Sequence, residues 1–180
     1  MTGELLRVMV CPPGNAGWNL PGKAAAWREL GFRHAPDFAA ALSQHEILCG
    51  LLREDGAEVV CLPPTESLTL DAVYAHDASL ATDYGLVLMN PGKKNRVAEA
   101  KVHADFCGRL SIPVLGEIRA PGVSESGDIV WLDFGRCSSV KDIGRTKRGS
   151  SRCGPCSPPR TLRCFWRRCL MDLGLRLVCI

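Results

Sequence analysis

The stretch YGLVLMNPGKKNRVAEAKVHADFCGRLSIPVL, residues 84–115, decides the fold class. Residues 84–89 are an almost continuous apolar run, which suits a strand buried on both faces. Asn90-Pro91-Gly92 then interrupts any ladder and favours a turn. From Arg96 onward Val97, Ala100, Ala104 and Cys107 recur at helical spacing, which predicts a helix over residues 96–108, and residues 112–115 return to strand. Strand, helix, strand is the unit of an α/β protein.

The same grammar extends outward on both sides. Leu5, Leu6, Val8, Met9 and Val10 form a dense aliphatic strand stopped by Pro12-Pro13-Gly14. After Pro36, a helix is predicted from Asp37 as cap through Phe38, Ala41, Leu42, Leu48, Cys49 and Leu52, with Gly56 to end it. Residues 58–62 make a short strand closed by Pro63-Pro64, and residues 129–132 make another. The order implies an α/β fold with at least two similar units, although the units share negligible sequence identity.

Charge divides the chain. Residues 1–135 carry 11 Lys+Arg against 17 Asp+Glu, whereas residues 136–180 carry 11 against 2 and six of the ten cysteines. The expected organisation is therefore one α/β unit over residues 1–133 and an irregular, basic, Cys-rich tail over residues 134–180. No apolar run reaches the 18 residues of a membrane span. Residues 5–11 are interrupted by Arg7 and followed by two prolines, unlike a secretory leader. The expected compartment is the cytosol, where thiols stay reduced and ten cysteines imply no disulfide framework.

The chain has no glycine-rich phosphate loop, HExxH or strand-embedded GxSxG, which removes most support for kinase, dehydrogenase and α/β-hydrolase chemistry. Polar residues instead gather where strands end: Asp71, His76 and Asp77, then Arg96, then Glu125 and Asp128. Carboxylates converging on one mouth suit a guanidinium, whose planar donor fork they grip in bidentate fashion, and an Arg beside them could hold a carboxylate. Each could equally serve as a loop cap or a solvated charge.

The strings VMVCPPGNAGWN, Gln44-His45, DAVYAHDASLATDYG, LMNPGKKNR with Glu99, and PGVSESGDIVWLD, in order over residues 5–133, resemble the guanidine-modifying enzymes. That superfamily includes dimethylarginine dimethylaminohydrolase, arginine deiminase and the amidinotransferases. The resemblance implies the pentein fold, a propeller of five ββαβ-type modules around a central site, of which this chain would hold about half. It also implies attack of a cysteine thiolate on the guanidinium carbon, an amidino-cysteine intermediate, and a histidine that moves protons. By position, Asp71 and Asp77 match carboxylates that hold the substrate's polar groups, and Arg96 matches the arginine that binds its carboxylate. Glu125 matches the carboxylate that grips the guanidinium and positions the histidine, and Asp128 ends that Glu-x-Gly-Asp pattern. His76 stands where the dimethylarginine enzymes often carry Glu. The superfamily's histidine and nucleophilic cysteine come from later modules, and this chain has no His after His103. Cys11 and Cys107 read as inert structural thiols. The implied partner is a small arginine derivative, with no cofactor, no metal, no nucleic acid and no membrane; the oligomeric state is not assigned.

Residues 134–180 show no helical or strand period. Read one base earlier, with wobble bases chosen freely, the codons of Asp142 to Ser150 permit GYRTNEEGI, and Arg-Thr-Asn-x-x-Gly is what the superfamily carries next. The tail then reads as a shifted frame and the chain as a truncated copy without turnover, or as a non-catalytic binder of arginine-like cations. A rival reading is a zinc or nucleic-acid module, with Cys153, Cys156, Cys164 and Cys169 as thiolates and Arg163, Arg167 and Arg168 beside Phe165 and Trp166.

Overall fold

A computed structural model describes residues 5–133, 136–139 and 177–179. Strand β1 (Arg7–Val10) is followed by a short helix α1 (Pro21–Ala24), the long helix α2 (Phe38–Glu54) and strand β2 (Glu58–Cys61). Two 3-10 turns, Leu70–Val73 and Ala75–Ala78, lead into strands β3 (Ser79–Thr82) and β4 (Gly85–Leu88). A third turn (Lys94–Arg96) opens helix α3 (Val97–Arg109), which returns the chain to strand β5 (Val114–Glu117). A fourth turn (Ser126–Asp128) precedes strands β6 (Ile129–Asp133) and β7 (Arg136–Ser139), and strand β8 (Leu177–Cys179) comes last.

The expected α/β character holds. β1 and β2 run parallel with Val8 opposite Val59, connected through α2. β3 and β4 form an antiparallel hairpin, and α3 carries the chain across to β5, which pairs parallel with β4. That second group is one ββαβ unit in the order β3-β4-β5.

Alternation along the strands divides the apolar contacts, because successive side chains point to opposite faces. Val8 and Val10 face Cys49 of α2 and Ala57. Met9 and Cys11 face the other way, onto Leu62, Leu68, Leu86, Cys107 and Ile112. Leu80, Val87, Met89 and Ile129 form a further cluster on the far side of β3 and β4. Every residue of β4 is buried, as its unbroken apolar run requires. Gly85 at its start has φ +141° and lies too close to the Pro113 carbonyl to admit a Cβ. β4 and β5 can therefore approach only with glycine there.

Helix α2 begins at its expected cap, with the Asp37 carboxylate accepting from the Ala40 N–H at 3.0 Å, and it stops at Glu54 just before Gly56 with φ +91°. Helix α3 departs from expectation in its face. Glu99, His103 and Cys107 are its buried residues, and Val97 is exposed. β5 starts two residues later than its apolar letters suggest, because Ser111 has a positive φ and the turn through Pro113 carries the chain out of the helix. The expected boundary at residue 133 falls inside the β6–β7 hairpin. Within the expected tail, β8 pairs parallel with β1, Arg7 opposite Leu177. Residues 140–176, including Cys153, Cys156, Cys164 and Cys169, lie outside the described residues.

Leu86 is fully buried in the central cluster. Leu86→Ala is expected to cost about 2–5 kcal/mol in urea unfolding, against about 1 kcal/mol for loss of the exposed α2 cap in Asp37→Ala.

Candidate functional site: a carboxylate cluster around the residue 91–96 turn

The expected site residues come from three turns, and the chain between Pro91 and Arg96 touches all of them. Asp71, on the turn after β2, is buried, and its Oδ2 accepts from Lys93 Nζ at 3.2 Å and Asn95 Nδ2 at 3.1 Å. Asp77, on the next turn, accepts from Arg96 Nη1 at 2.6 Å. Glu125 is half-buried, and its Oε1 accepts from the Gly92 N–H at 3.2 Å. The Asn90 carbonyl accepts from the Ser124 N–H at 2.9 Å, which holds the loop before Glu125 against the end of β4.

Asp77 meets the Glu-x-Gly-Asp turn directly. A Cβ on Gly127 would stand 2.5 Å from Asp77 Oδ1, so glycine there lets the two turns close on each other. Asp128 completes the turn through its backbone, donating to the Glu125 carbonyl at 3.1 Å. Between them, the Ser126 hydroxyl is buried and has no partner among the described residues. Asp71, Asp77, Arg96 and the Glu125–Asp128 turn thus gather around one short segment. His76 is half-buried beside Asp77 on the same turn.

Arg96, expected to take a substrate carboxylate, has mostly protein partners. It is 3% exposed. Its Nε donates to Glu99 Oε1 at 3.0 Å, and its Nη2 to Glu99 Oε2 at 2.8 Å and the Tyr74 carbonyl at 3.0 Å. With Asp77, these acceptors take four of the five N–H donors of a guanidinium. Burial opposes the charge, but the hydrogen bonds and charges of Glu99 and Asp77 prevail and hold the guanidinium above its ordinary range. The same burial pushes the Glu99 carboxyl upward against the downward pull of Arg96. We expect Arg96→Met to cost about 3–5 kcal/mol in chemical unfolding because it leaves Glu99 as an uncompensated buried carboxylate, and the Arg96→Met, Glu99→Leu double variant to recover part of that loss.

A second buried polar pair adjoins this one. His103 Nδ1 lies 2.9 Å from Ser79 Oγ, four residues along α3 from Glu99. Burial, and then the nearby Arg96 charge, lower the imidazole to about 4, so His103 is neutral at pH 7. The order of pKa values sets a direction: below the unfolded value of about 6.5 the unfolded chain takes a proton that the folded chain refuses. Stability is therefore fully retained above pH 6.5 and falls as pH drops toward 4, by up to about 3 kcal/mol from this group. Urea unfolding from pH 7.5 to 4 should show the decline, and His103→Gln should flatten it.

Glu99, Lys93 and Asn95 lie within or beside the string LMNPGKKNR, and nothing in the letters pairs them with Arg96 or Asp71. Ser79 and His103 gave no sequence signal except that Glu99, His103 and Cys107 repeat every four residues on one helical face. Among the described residues no cluster of three His, Cys, Asp or Glu could hold a metal ion. No helix among them is long and apolar enough to cross a membrane.

No family model matches the chain. A curated dimethylarginine dimethylaminohydrolase of Pseudomonas aeruginosa is 32% identical over 97 residues, which is 54% of this chain and 38% of that protein. The crystal structure of the Pseudomonas aeruginosa enzyme as a cysteine-to-serine variant complexed with citrulline superposes with TM-score 0.66 at 20% identity, covering 98% of this chain and 61% of the other. The N-terminal domain of a cyanobacterial arginine dihydrolase bound to substrate gives TM-score 0.55 at 22% identity, over 70% of this chain and 45% of that one. The chain thus spans about three fifths of the solved dimethylarginine dimethylaminohydrolases it resembles, and the aligned segment well under half of the curated relative. Over that partial length, the chain is similar in sequence to the curated dimethylarginine dimethylaminohydrolase and shares the fold of the solved ones.

Proposed function

We propose that this chain carries the substrate-gripping part of a hydrolase site for the guanidine carbon of arginine derivatives, of the dimethylarginine-to-citrulline type, and that it binds such cations without turning them over. The observation that carries this reading is the closure of Asp77 on the Glu125–Asp128 turn through Gly127. Glu125 and Asp77 would then flank a guanidinium, with Asp71 and Asp128 as the polar rim and Arg96 fixing Asp77. The citrulline complex of the Pseudomonas relative supports the ligand class.

Among the described residues, the thiols speak against turnover. Nucleophilic attack needs a thiolate. Burial pushes the Cys11 thiol up to about 12 and the Cys107 thiol to about 11, and it raises Cys49 as well. Cys61 is exposed at the end of β2, away from the turns that bear Asp77 and Glu125 in the chain. His103 is sealed in the interior and tied to Ser79, and His76 lies half-buried beside Asp77 on its turn. Without an activated cysteine, positioning carboxylates supply little of the acceleration.

Isothermal titration with L-arginine and asymmetric dimethylarginine should detect binding, and Glu125→Gln or Asp77→Asn should weaken it by roughly tenfold or more, the effect of losing a charge-assisted contact. The same protein incubated with dimethylarginine should release no citrulline. Citrulline release that Glu125→Ala abolishes would refute the non-catalytic part of the reading.

A further inference from the structure

The turn that bears Asp77 is held to α3 at two points. At the first, Arg96, which stands at the start of α3, donates to the Tyr74 carbonyl and to Asp77. At the second, about two turns further along the helix, His103 Nδ1 meets Ser79 Oγ at 2.9 Å. Ser79 is the first residue of β3 and follows Asp77 by two positions. Ser79 is fully buried and His103 is 1% exposed.

The neighbours of this pair are apolar. Side chains alternate along β3, so Ser79 shares its face with Ala81, which belongs to the cluster of Leu86, Cys107 and Ile112. Cys107 is also the next residue after His103 on the buried face of α3. A hydroxyl and an imidazole placed there have given up water. Replacing both partners of such a bond with apolar groups of like shape is close to neutral for stability, so the fold does not require the pair. What a hydrogen bond adds to apolar contact is a fixed distance and direction. A hydroxyl both donates and accepts, so the bond to the neutral imidazole forms with either ring tautomer.

The place that the bond fixes is narrow. Arg96 Nη1 holds Asp77 Oδ2 at 2.6 Å, and a Cβ on Gly127 would stand 2.5 Å from Asp77 Oδ1. Binding groups work when held within about 0.5 Å of their productive geometry, and a slip of β3 along α3 would reach Asp77 through two residues.

We propose that Ser79 and His103 are positioning residues for the ligand-binding carboxylate of Asp77: their bond sets where β3 begins against α3, and so seats Asp77 between Arg96 and Gly127. This rests on the guanidinium-binding reading above.

The test measures L-arginine binding by isothermal titration and stability by urea unfolding, both on the full chain. His103→Asn keeps a polar atom near the place of Nδ1 but leaves a cavity. It should lower the urea midpoint and still bind arginine within about threefold of wild type. Ser79→Ala with His103→Leu makes the pair apolar. It should keep the midpoint near wild type and bind arginine about fivefold to tenfold more weakly. Ser79→Ala alone should weaken binding in the same direction, and it decides the matter if the double variant does not fold. In an Asp77→Asn background the apolar pair should cost no further affinity, because the carboxylate it seats is gone. If the apolar pair binds arginine as wild type does, if affinity follows the urea midpoint through the series, or if the loss persists in full with Asp77→Asn, the pair serves packing alone and the inference is wrong. If the wild-type chain binds no arginine, the guanidinium reading itself falls and takes this inference with it.

Discussion

A buried guanidinium organises the candidate site. Arg96 lies at the N-terminal end of α3, removed from water, and joins three parts of the chain: the Tyr74 carbonyl and Asp77 from the turns before β3, and Glu99 from the first turn of its own helix. A charge so placed is tolerated only because nearly every donor has an acceptor. Its geometry is consequently stiff. Asp77 is oriented by Arg96 on one side and confined by Gly127 on the other, which leaves its carboxylate little freedom to follow a ligand.

The site is assembled from turns, and the strands and helices serve to bring the turns together. Ser79 at the start of β3 pairs with Leu88 at the end of β4, so the Asp77 turn and the 91–96 turn leave the same end of one hairpin, and the antiparallel bridge between Asn90 and Ser124 adds the third. Short 3-10 segments let Asp71 and Asp77 stand near one another without a long helix between them. Chemistry on loops over a rigid α/β scaffold is a common arrangement. The scaffold is what this chain shares with solved dimethylarginine dimethylaminohydrolases at about 20% identity.

The regular elements were mostly legible. Proline and glycine marked the ends of β1, α2 and β2, and the apolar run of β4 announced a fully buried strand. β3 was not legible as a separate strand, because SLAT is short and carries two hydroxyl residues whose partners, His103 and the Gly85 carbonyl, are distant or local in ways that letters do not encode. The face of α3 was misread for a related reason. Periodicity weighs apolar letters, whereas this helix buries a glutamate and a histidine toward polar partners supplied by other segments. The identities of the carboxylates were readable from their positions at strand ends and from the resemblance. Their partners were not: that Arg96 would be enclosed by Glu99 and Asp77, and that Lys93 would be held on Asp71 and Leu30, depends on the tertiary approach of three turns.

The parallel pairing of β1 with β8 sets a temporal condition on the chain. Arg7 to Met9 stand 170 positions before Leu177 to Cys179, the residues they pair with. A loop of about 170 residues must close before that edge of β1 finds its neighbour, so the contact is slow to form and contributes late. Until then β1 offers an unsatisfied row of backbone donors and acceptors on that side, with Val8, Met9 and Val10 beside it. Any interruption of translation before Leu177 leaves a product with β2 on one side of β1 and an open, apolar edge on the other.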